Sequence, residues 1–254
     1  MNCELSERDE LDAHQKLVKS IIHLADSLNL NTFKTTMTIL DELVPTCVEL
    51  DFNKLRSPDI KFTNQKLYRE LKHAKRVSIH ARELAKSLSY TQEAIKEIEI
   101  GGFLHDLGKL VIDEHILYKI DCLSPAEWKT IQGHASLGGE LLSFSNQFSR
   151  FIPIAEQHHE RWDGTGYPNG IRGSEIHLFA RQISIVDAFD AMTCNRSYHQ
   201  CISQELAIEE IARCSGTQFD PYLAEVFINQ ISTQHQSFKN DLLKKTCIHT
   251  HSDR

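Results

Sequence analysis

The sequence predicts an all-α fold, because apolar residues recur at helical spacing along most of the chain and strand-like alternation is sparse. Helix-start signals support this prediction. Residues 124–127 read Ser-Pro-Ala-Glu, which places Ser at the N-cap, Pro at the first helical position and Glu at the third. Asp220 and Pro221 form a similar start, so the fold class rests on both periodicity and capping.

Residues 1–62 predict a helical N-terminal extension. Ser6 and Asp9 resemble a capping box, and apolar residues then keep a helical period from Leu11 to Leu28. A second short helix is predicted around residues 37–44, and Pro45 ends it. The mixed stretch that follows is interpreted as a connection.

Residues 63–232 carry the rest of the helical pattern and form the predicted main domain. The expected helices cover about residues 64–88, 91–104, 124–142, 151–160, 176–193 and a last segment from Asp220 onward. Residues 163–173 are rich in Gly and predict a loop. Residues 233–254 are expected to form a polar C-terminal tail.

Composition narrows the function classes. The chain has 28 Lys and Arg against 35 Asp and Glu, a net charge of −7, which argues against a nucleic-acid polymer as partner but allows a local basic pocket for phosphate. No apolar run approaches a membrane span, and the charged N-terminus shows no signal peptide. The seven Cys are scattered without a C-x-x-C pair, so free thiols and a cytoplasmic location are expected.

Histidine is over-represented, with fourteen residues, and several lie in polar clusters. His105 and Asp106 are adjacent at a predicted helix end, where an imidazole and a carboxylate suit Fe, Mn, Zn or Ni. His158 and His159 form a second pair, whereas His134 and His73 stand singly on predicted helices. Each of these features alone is more typical of a surface or structural role.

Other residues have the chemistry of a phosphate site. Asp187 lies inside an apolar helix, where a carboxylate is costly unless it is paired or binds a metal. Lys109 could place a cation beside the His-Asp pair, and Arg196 could grip a phosphate with two hydrogen bonds. The 163–170 loop would carry Tyr167 near the histidine pair. A solvated surface cation or a plain surface loop is the alternative for each.

Together and in this order, these signals resemble the HD superfamily of phosphohydrolases, specifically its HD-GYP subgroup. The resemblance covers about residues 73–221. The matching strings are H-A-K-R at 73–76, H-D-L-G-K at 105–109, H-A-S-L-G at 134–138, H-H-E-R-W-D-G-T-G-Y-P at 158–168, D-A-F-D-A-M-T at 187–193 and R-S-Y at 196–198. The string at 158–168 is the most specific of them.

The resemblance implies an HD-type helical bundle with two divalent metal ions, Fe or Mn, that hydrolyses cyclic di-GMP to the linear dinucleotide and in some members to GMP. One ion would be held by His73, His105, Asp106 and Asp187, and the other by His134, His158 and His159, with Asp106 as the bridge. The substrate-binding residues would be Lys109, Gly166, Tyr167, Asp190 and Arg196. Asp190, one helical turn after Asp187, could also orient a metal ligand.

The chemistry of these residue types fits that activity. Two adjacent divalent ions make hydroxide available near neutral pH, and Asp106 would hold both ions. Lys109 would help the ions to stabilise the charge that builds on the phosphoryl oxygens. Asp106 and Lys109 are therefore the expected catalytic residues.

Three departures from the family pattern matter. Some HD-GYP proteins place a Glu four residues before the first His, where it helps to hold a third metal. Here that residue is Arg69, and Glu70 is rotated by about 100° around a helix, so we expect two metals. Residues 196–199 read Arg-Ser-Tyr-His where R-P-Y-K is frequent, and His199 in place of Lys weakens one phosphate contact and could change substrate preference. Residues 118–121 lack a common Lys-Pro-Gly, which alters a turn.

Several alternatives remain at this level. The mixed dinucleotide 3′,3′-cGAMP is a rival substrate, because the base contacts cannot be placed from the sequence. A non-catalytic module that binds a nucleotide or a signalling partner is a second alternative, and the complete ligand set argues against it. A general HD nucleotidase is a third, and the loop with Tyr167 and Pro168 argues against it. The N-terminal helices could form a homodimer interface or pack back on the main domain.

Overall fold

The computed structural model describes residues 63–143, 146, 148–194 and 201–233. Over these residues the regular structure is helical, with one isolated bridge between Ser215 and Phe219, which confirms the predicted all-α class. The predicted N-terminal extension, the tail from residue 234 and the Arg196 segment lie outside the described residues. Among the described helices, none combines the length and apolar character that crossing a membrane requires.

Nine α-helices lie within the described residues. Their bounds are α1 (Thr63–Ser87), α2 (Gln92–Leu104), α3 (Glu114–Leu117), α4 (Pro125–Gln132), α5 (His134–Ser143), α6 (Ile152–Gln157), α7 (Leu178–Thr193), α8 (Gln204–Arg213) and α9 (221–233). Single 3-10 turns occur at Leu107–Val111, Ser149–Phe151 and Gly173–Glu175. The predicted helices over residues 64–88, 91–104 and 176–193 therefore have close counterparts in α1, α2 and α7.

The core lies where α1 packs against α2 and α7, with α6, α8 and α9 closing it. Val77 and Leu84 of α1 are fully buried against Ile98 of α2 and Phe189 of α7. Burying one such side chain contributes about 1.5–3 kcal/mol before conformational entropy is subtracted. Apolar packing thus holds together the long helices that carry candidate metal ligands, and this packing lies beside those residues.

Helix starts follow the signals in the sequence. Ser124 and Glu127 form the predicted capping box at α4. Oδ1 of Asp220 accepts hydrogen bonds from the backbone N–H groups of Tyr222, at 3.0 Å, and Leu223, at 3.3 Å, which confirms the predicted start of the last helix. Each cap satisfies N–H groups that the helix itself leaves without acceptors.

The predicted helix over residues 124–142 is wrong as a single element, because it is interrupted at Gly133. Nδ1 of His134 donates to the carbonyl of Ile131 at 2.5 Å, an acceptor that an unbroken helix would offer to the N–H of Ala135. Similarly, the helix expected to reach Glu160 ends as α6 at Gln157. Both interruptions occur next to histidines.

Helix α8 was missed from the sequence. Ser203 caps it by accepting from the N–H of Leu206 at 3.3 Å, but only Ala207 and Ile211 of its ten residues are buried. Such a short apolar face gives a weak periodic signal.

A close backbone contact brings the turn after α2 against α5. A Cβ on Gly108 would overlap the carbonyl oxygen of His134 and would lie 2.7 Å from the backbone N of Gly138. A residue larger than Gly would therefore push α5 away from the segment that carries His105 and Asp106.

We expect Gly108→Ala to lower the free energy of unfolding by about 3 kcal/mol, because the added methyl group meets backbone rather than a movable side chain. Denaturant unfolding followed by circular dichroism measures this. Gly138→Ala is the matched control across the same contact. Its Cβ would lie 3.4 Å from its nearest neighbours, an ordinary contact, so stability should stay level or rise. Equal stability of the two variants would contradict the close contact.

Candidate metal centre

Five helices bring the predicted ligand residues to one buried location. The sources are α1 for His73, the end of α2 for His105 and Asp106, the start of α5 for His134, the end of α6 for His158 and His159, and α7 for Asp187. His73, His105, Asp106, His134 and His158 are all buried. Side chains that are far apart in the sequence therefore form one cluster, and the surrounding helices shield it from water.

Asp106 lies between two sets of imidazoles. Its Oδ1 is 3.2 Å from Nε2 of His134 and 3.5 Å from Nε2 of His158. Its Oδ2 is 3.4 Å from Nε2 of His73 and 3.2 Å from Nε2 of His105. Each carboxylate oxygen thus faces one set, which is the arrangement that a bridging ligand needs.

The ligand atoms form two overlapping groups that could each hold a cation. Asp106 with His73 and His105 makes one group, and within each group the atoms lie within 4.8 Å of one another. The second group consists of Asp106, His134, His158 and His159. Oδ1 of Asp187 lies 3.0 Å from Nε2 of His73 and 4.0 Å from Nε2 of His105, at the side of the first group.

Three of the imidazoles are oriented by backbone carbonyls three residues earlier in the chain. The pairs are His105 with Gly102 at 2.7 Å, His134 with Ile131 at 2.5 Å and His158 with Ala155 at 2.8 Å, each through Nδ1. Because a carbonyl only accepts, each Nδ1 must carry a proton. In the neutral ring, Nε2 is then left as a lone-pair donor directed into the cluster.

The donor set fits divalent cations. Nε2 of His105 and Oδ1 of Asp106 are buried and make no hydrogen bond within the described residues. Buried acceptors of this kind are costly unless a partner satisfies them, and a cation does so. Imidazole nitrogen with carboxylate oxygen is a donor set that Fe, Mn, Zn and Ni share, so it supports metal binding without selecting the metal.

Electrostatics around the first group favour positive charge. Burial alone would lower the pKa of His73, but hydrogen bonds with Asp106, Asp187 and Asp190 outweigh it and raise that pKa well above the ordinary value. Burial opposes ionisation of Asp106, but the charges of His105 and Lys109 overcome it and hold the pKa of that carboxyl well below its usual range. The carboxylates that stabilise a proton on His73 would also stabilise a bound cation.

Two histidines of the second group, His158 and His159, have lowered pKa values. Burial lowers the pKa of His158 to about 4, although Asp106 acts in the opposite direction. Burial, reinforced by His158, also lowers the pKa of His159 well below its ordinary value. Both rings are therefore unprotonated lone-pair donors at neutral pH, the form that binds metal.

Lys109 lies beside the cluster. Its Nζ is 2.5 Å from Oδ2 of Asp106, and its side chain is only 13% exposed. Burial disfavours the charged amine, but the carboxylates of Asp106, Glu70 and Asp187 outweigh burial and raise the pKa of Lys109. The structure thus places a permanent positive charge at the edge of the candidate centre, where the sequence predicts a phosphate contact.

Asp190 is fully buried and contacts His73 and Arg76. It is 0% exposed, and its Oδ2 accepts from Nδ1 of His73 at 2.7 Å. Arg76 completes the arrangement by donating to both oxygens of Asp190, at 2.6 and 2.9 Å. This geometry supports the expected role in orienting a ligand and argues against the expected direct contact with substrate. Arg76 is part of the H-A-K-R string at 73–76, but no role for it was predicted from the sequence.

The 163–170 loop folds against the second group. The ring of Tyr167 stacks on the ring of His159, with centroids 4.8 Å apart and planes at 24°, and its backbone N–H donates to the carbonyl of His159. Burial, with the charges of Asp106 and Asp187, raises the pKa of Tyr167, so its phenol stays protonated. A Cβ on Gly166 would lie 2.6 Å from the His159 carbonyl oxygen, so Gly is required there.

Arg69 and Glu70, where the sequence departs from the family pattern, both contact Tyr118. Oε1 of Glu70 accepts from the hydroxyl of Tyr118 at 2.6 Å, and the guanidinium of Arg69 lies 5.2 Å from the centroid of the Tyr118 ring. Neither candidate ligand group found among the described residues includes Glu70. The expectation of two metals stays a prediction, and Arg196 lies outside the described residues.

Comparison with known proteins finds relatives that are named as cyclic dinucleotide phosphodiesterases. A cyclic di-GMP phosphodiesterase of Thermotoga maritima is 34% identical over 166 residues, which cover 63% of this chain and 45% of that protein. A 3′3′-cGAMP-specific phosphodiesterase 2 of Vibrio cholerae is 34% identical over 160 residues, which cover 61% of this chain and 30% of that protein. The chain thus spans less than half the length of these relatives.

A solved structure shares the fold. An HDG"Y"P protein from Bdellovibrio bacteriovorus superposes with a TM-score of 0.55 at 17% identity, over 86% of this chain and 69% of that one. The model of the family described as "HD domain" matches residues 60–223, more than half of the chain. This match confirms the predicted family, and the chain belongs to the HD domain family.

Proposed function

We propose that this chain is a metal-dependent phosphodiesterase that hydrolyses a cyclic dinucleotide, with residues 63–232 as its catalytic domain. The observation that carries the proposal is the position of Asp106, whose two oxygens face two separate sets of imidazoles. Two divalent ions bound there would supply an activated hydroxide and positive charge for attack on a phosphodiester.

The chain's own residues prepare the site for that chemistry. Asp106 would join the two ligand groups, and Asp187 would complete the group of His73 and His105. Lys109, held at Asp106 and charged at neutral pH, would stabilise the charge that develops on the phosphoryl oxygens. Asp106 is buried, Asp187 and Lys109 are partly buried, and their contacts fix them in place before a phosphodiester binds.

The pocket walls would select the substrate. Tyr167, half-buried and stacked on His159, presents an aromatic surface and a phenolic donor next to the second ligand group. Arg196 would add a phosphate contact from the segment between α7 and α8. Cyclic di-GMP is the leading substrate, with hydrolysis to the linear dinucleotide and in a further step to GMP.

A second substrate has equal support from the relatives. The chain is as similar to a 3′3′-cGAMP-specific phosphodiesterase as to a cyclic di-GMP phosphodiesterase, at 34% identity in both cases. The two dinucleotides share the phosphodiester ring and differ in one base. The buried cluster would act on the shared part, so the choice depends on base contacts in the pocket walls.

Turnover of both dinucleotides tests the proposal. We expect purified protein, loaded anaerobically with Fe or Mn, to convert cyclic di-GMP to a linear dinucleotide that is resolved by chromatography. A parallel incubation with 3′,3′-cGAMP ranks the two substrates by kcat/KM. If the protein holds two metal ions per chain and cleaves neither compound, the phosphodiesterase proposal fails. The alternative of a non-catalytic module that binds a nucleotide or a signalling partner then replaces it.

Asp106→Ala is expected to abolish both metal content and hydrolysis, because it removes the one carboxylate that faces both ligand groups. Metal content is measured by elemental analysis of the purified variant. Asp121→Ala, which removes an exposed Asp, is the control and should keep both properties. Full turnover by a metal-loaded Asp106→Ala variant would contradict the assigned site.

Asp190→Asn should weaken metal affinity by about 10- to 100-fold, because the amide orients His73 and pairs with Arg76 less strongly than the carboxylate does. Competition with a metal-binding dye measures the change. Asp220→Asn is a matched control, since Asp220 is also buried and ion-paired, here with Arg181 at 2.6 Å. If both variants bind metal equally well, Asp190 has no orienting role.

A further inference from the structure

Glu160 is a buried carboxylate directly after the histidine pair, and the proposed chemistry does not use it. It is 2% exposed. Its Oε1 accepts hydrogen bonds from the backbone N–H groups of Asn169, at 2.7 Å, and Gly170, at 3.1 Å. The carboxylate therefore anchors the far end of the 163–170 loop.

The start of the same loop is tied down differently. Asp163 accepts from the backbone N–H and the hydroxyl of Thr165, at 3.0 and 2.6 Å. The backbone N–H of Asp163 donates to the carbonyl of Thr217 at 2.8 Å. Between the two ends, the backbone N–H of Tyr167 donates to the carbonyl of His159, and the two Glu160 bonds hold the residues that follow.

The middle of the loop lies in close contact with the backbone of residues 159–161. A Cβ on Gly166 would overlap the backbone of Arg161 and lie 2.6 Å from Cα of Glu160. The next residue, Tyr167, is the one that stacks on His159. Backbone packing at Gly166 and the two bonds to Glu160 therefore hold the Tyr167 ring against a candidate metal ligand.

Packing of the loop alone does not explain why a carboxylate is buried at position 160. Oε2 of Glu160 is buried and has no hydrogen-bond partner within the described residues. Burying a carboxyl oxygen without a hydrogen-bond partner is costly. A loop needing only packing could be held by an apolar side chain, so the site retains the carboxylate for the two N–H groups that it fixes.

We propose that Glu160 is a positioning residue that holds the 163–170 loop closed, so that Tyr167 forms a fixed wall of the substrate pocket beside His159. The inference rests on the proposed phosphodiesterase function for its effect on substrate. The structural part of the inference is that Glu160 holds the N–H groups of Asn169 and Gly170, which we call the Glu160 clamp. This part does not depend on any activity. Glu160 itself contacts no reacting atom.

The test follows amide hydrogen exchange of the loop in the metal-loaded protein together with steady-state kinetics. Glu160→Ala is expected to speed exchange at Asn169 and Gly170 by about tenfold or more, because both N–H groups lose their acceptor. KM for the cyclic dinucleotide should rise by about tenfold, with a smaller change in kcat and with metal content retained. Glu160→Gln keeps an oxygen acceptor and should restore the protection.

Two further variants test the same contact between Glu160 and the loop. Gly166→Ala should reproduce the Glu160→Ala phenotype from the opposite side of the contact, since its methyl group forces the loop outward. Glu175→Ala is the matched control, because Glu175 also accepts a backbone N–H, from Arg172 at 3.3 Å, but is exposed. It should change neither exchange at Asn169 and Gly170 nor KM.

Unchanged exchange at Asn169 and Gly170 in Glu160→Ala would overturn the clamp. A loss of metal in proportion to the loss of activity would overturn the positioning role, because Glu160 would then support the ligands themselves. If the wild-type protein cleaves neither dinucleotide, the proposed function fails while the exchange experiment still decides the clamp. The two failures are therefore distinguishable.

Discussion

The structure depends on one carboxylate placed between two sets of imidazoles. Asp106 is buried, and each of its oxygens lies 3.2–3.5 Å from two histidine nitrogens. A negative charge is tolerated there only because cationic partners surround it, of which Lys109 is one. The helices around Asp106 can pack closely because this charge is compensated inside the protein.

The site is formed by residues at helix ends more than by residues on helix faces. His105, His134 and His158 each follow or begin a helix, and each donates to a carbonyl three residues earlier. A carbonyl near a helix end lacks its usual N–H partner, so it is available to orient a side chain. The same bond at His134 coincides with the break between α4 and α5, which joins local backbone structure to ligand geometry.

The sequence predicted the helical class and most long helices because apolar periodicity and caps are local signals. It also predicted the ligand candidates, through the resemblance of their order, and the structure brings His73 and His158 to one cluster although neither alone was distinctive. The break at Gly133 and the clamp of Glu160 were not predicted. Both depend on bonds between a side chain and the backbone, which leave no trace in periodicity.

The wide spacing of the ligand residues links metal acquisition to the order of folding. His73 on α1 and Asp190 on α7 are 117 residues apart in the chain yet hydrogen-bonded in the fold. Contacts of such long range form late, since closing the intervening chain costs entropy before any contact stabilises it. An incompletely synthesised chain lacks the α7 side of the first group. Metal binding by the first group would therefore require that α7 has docked against α1.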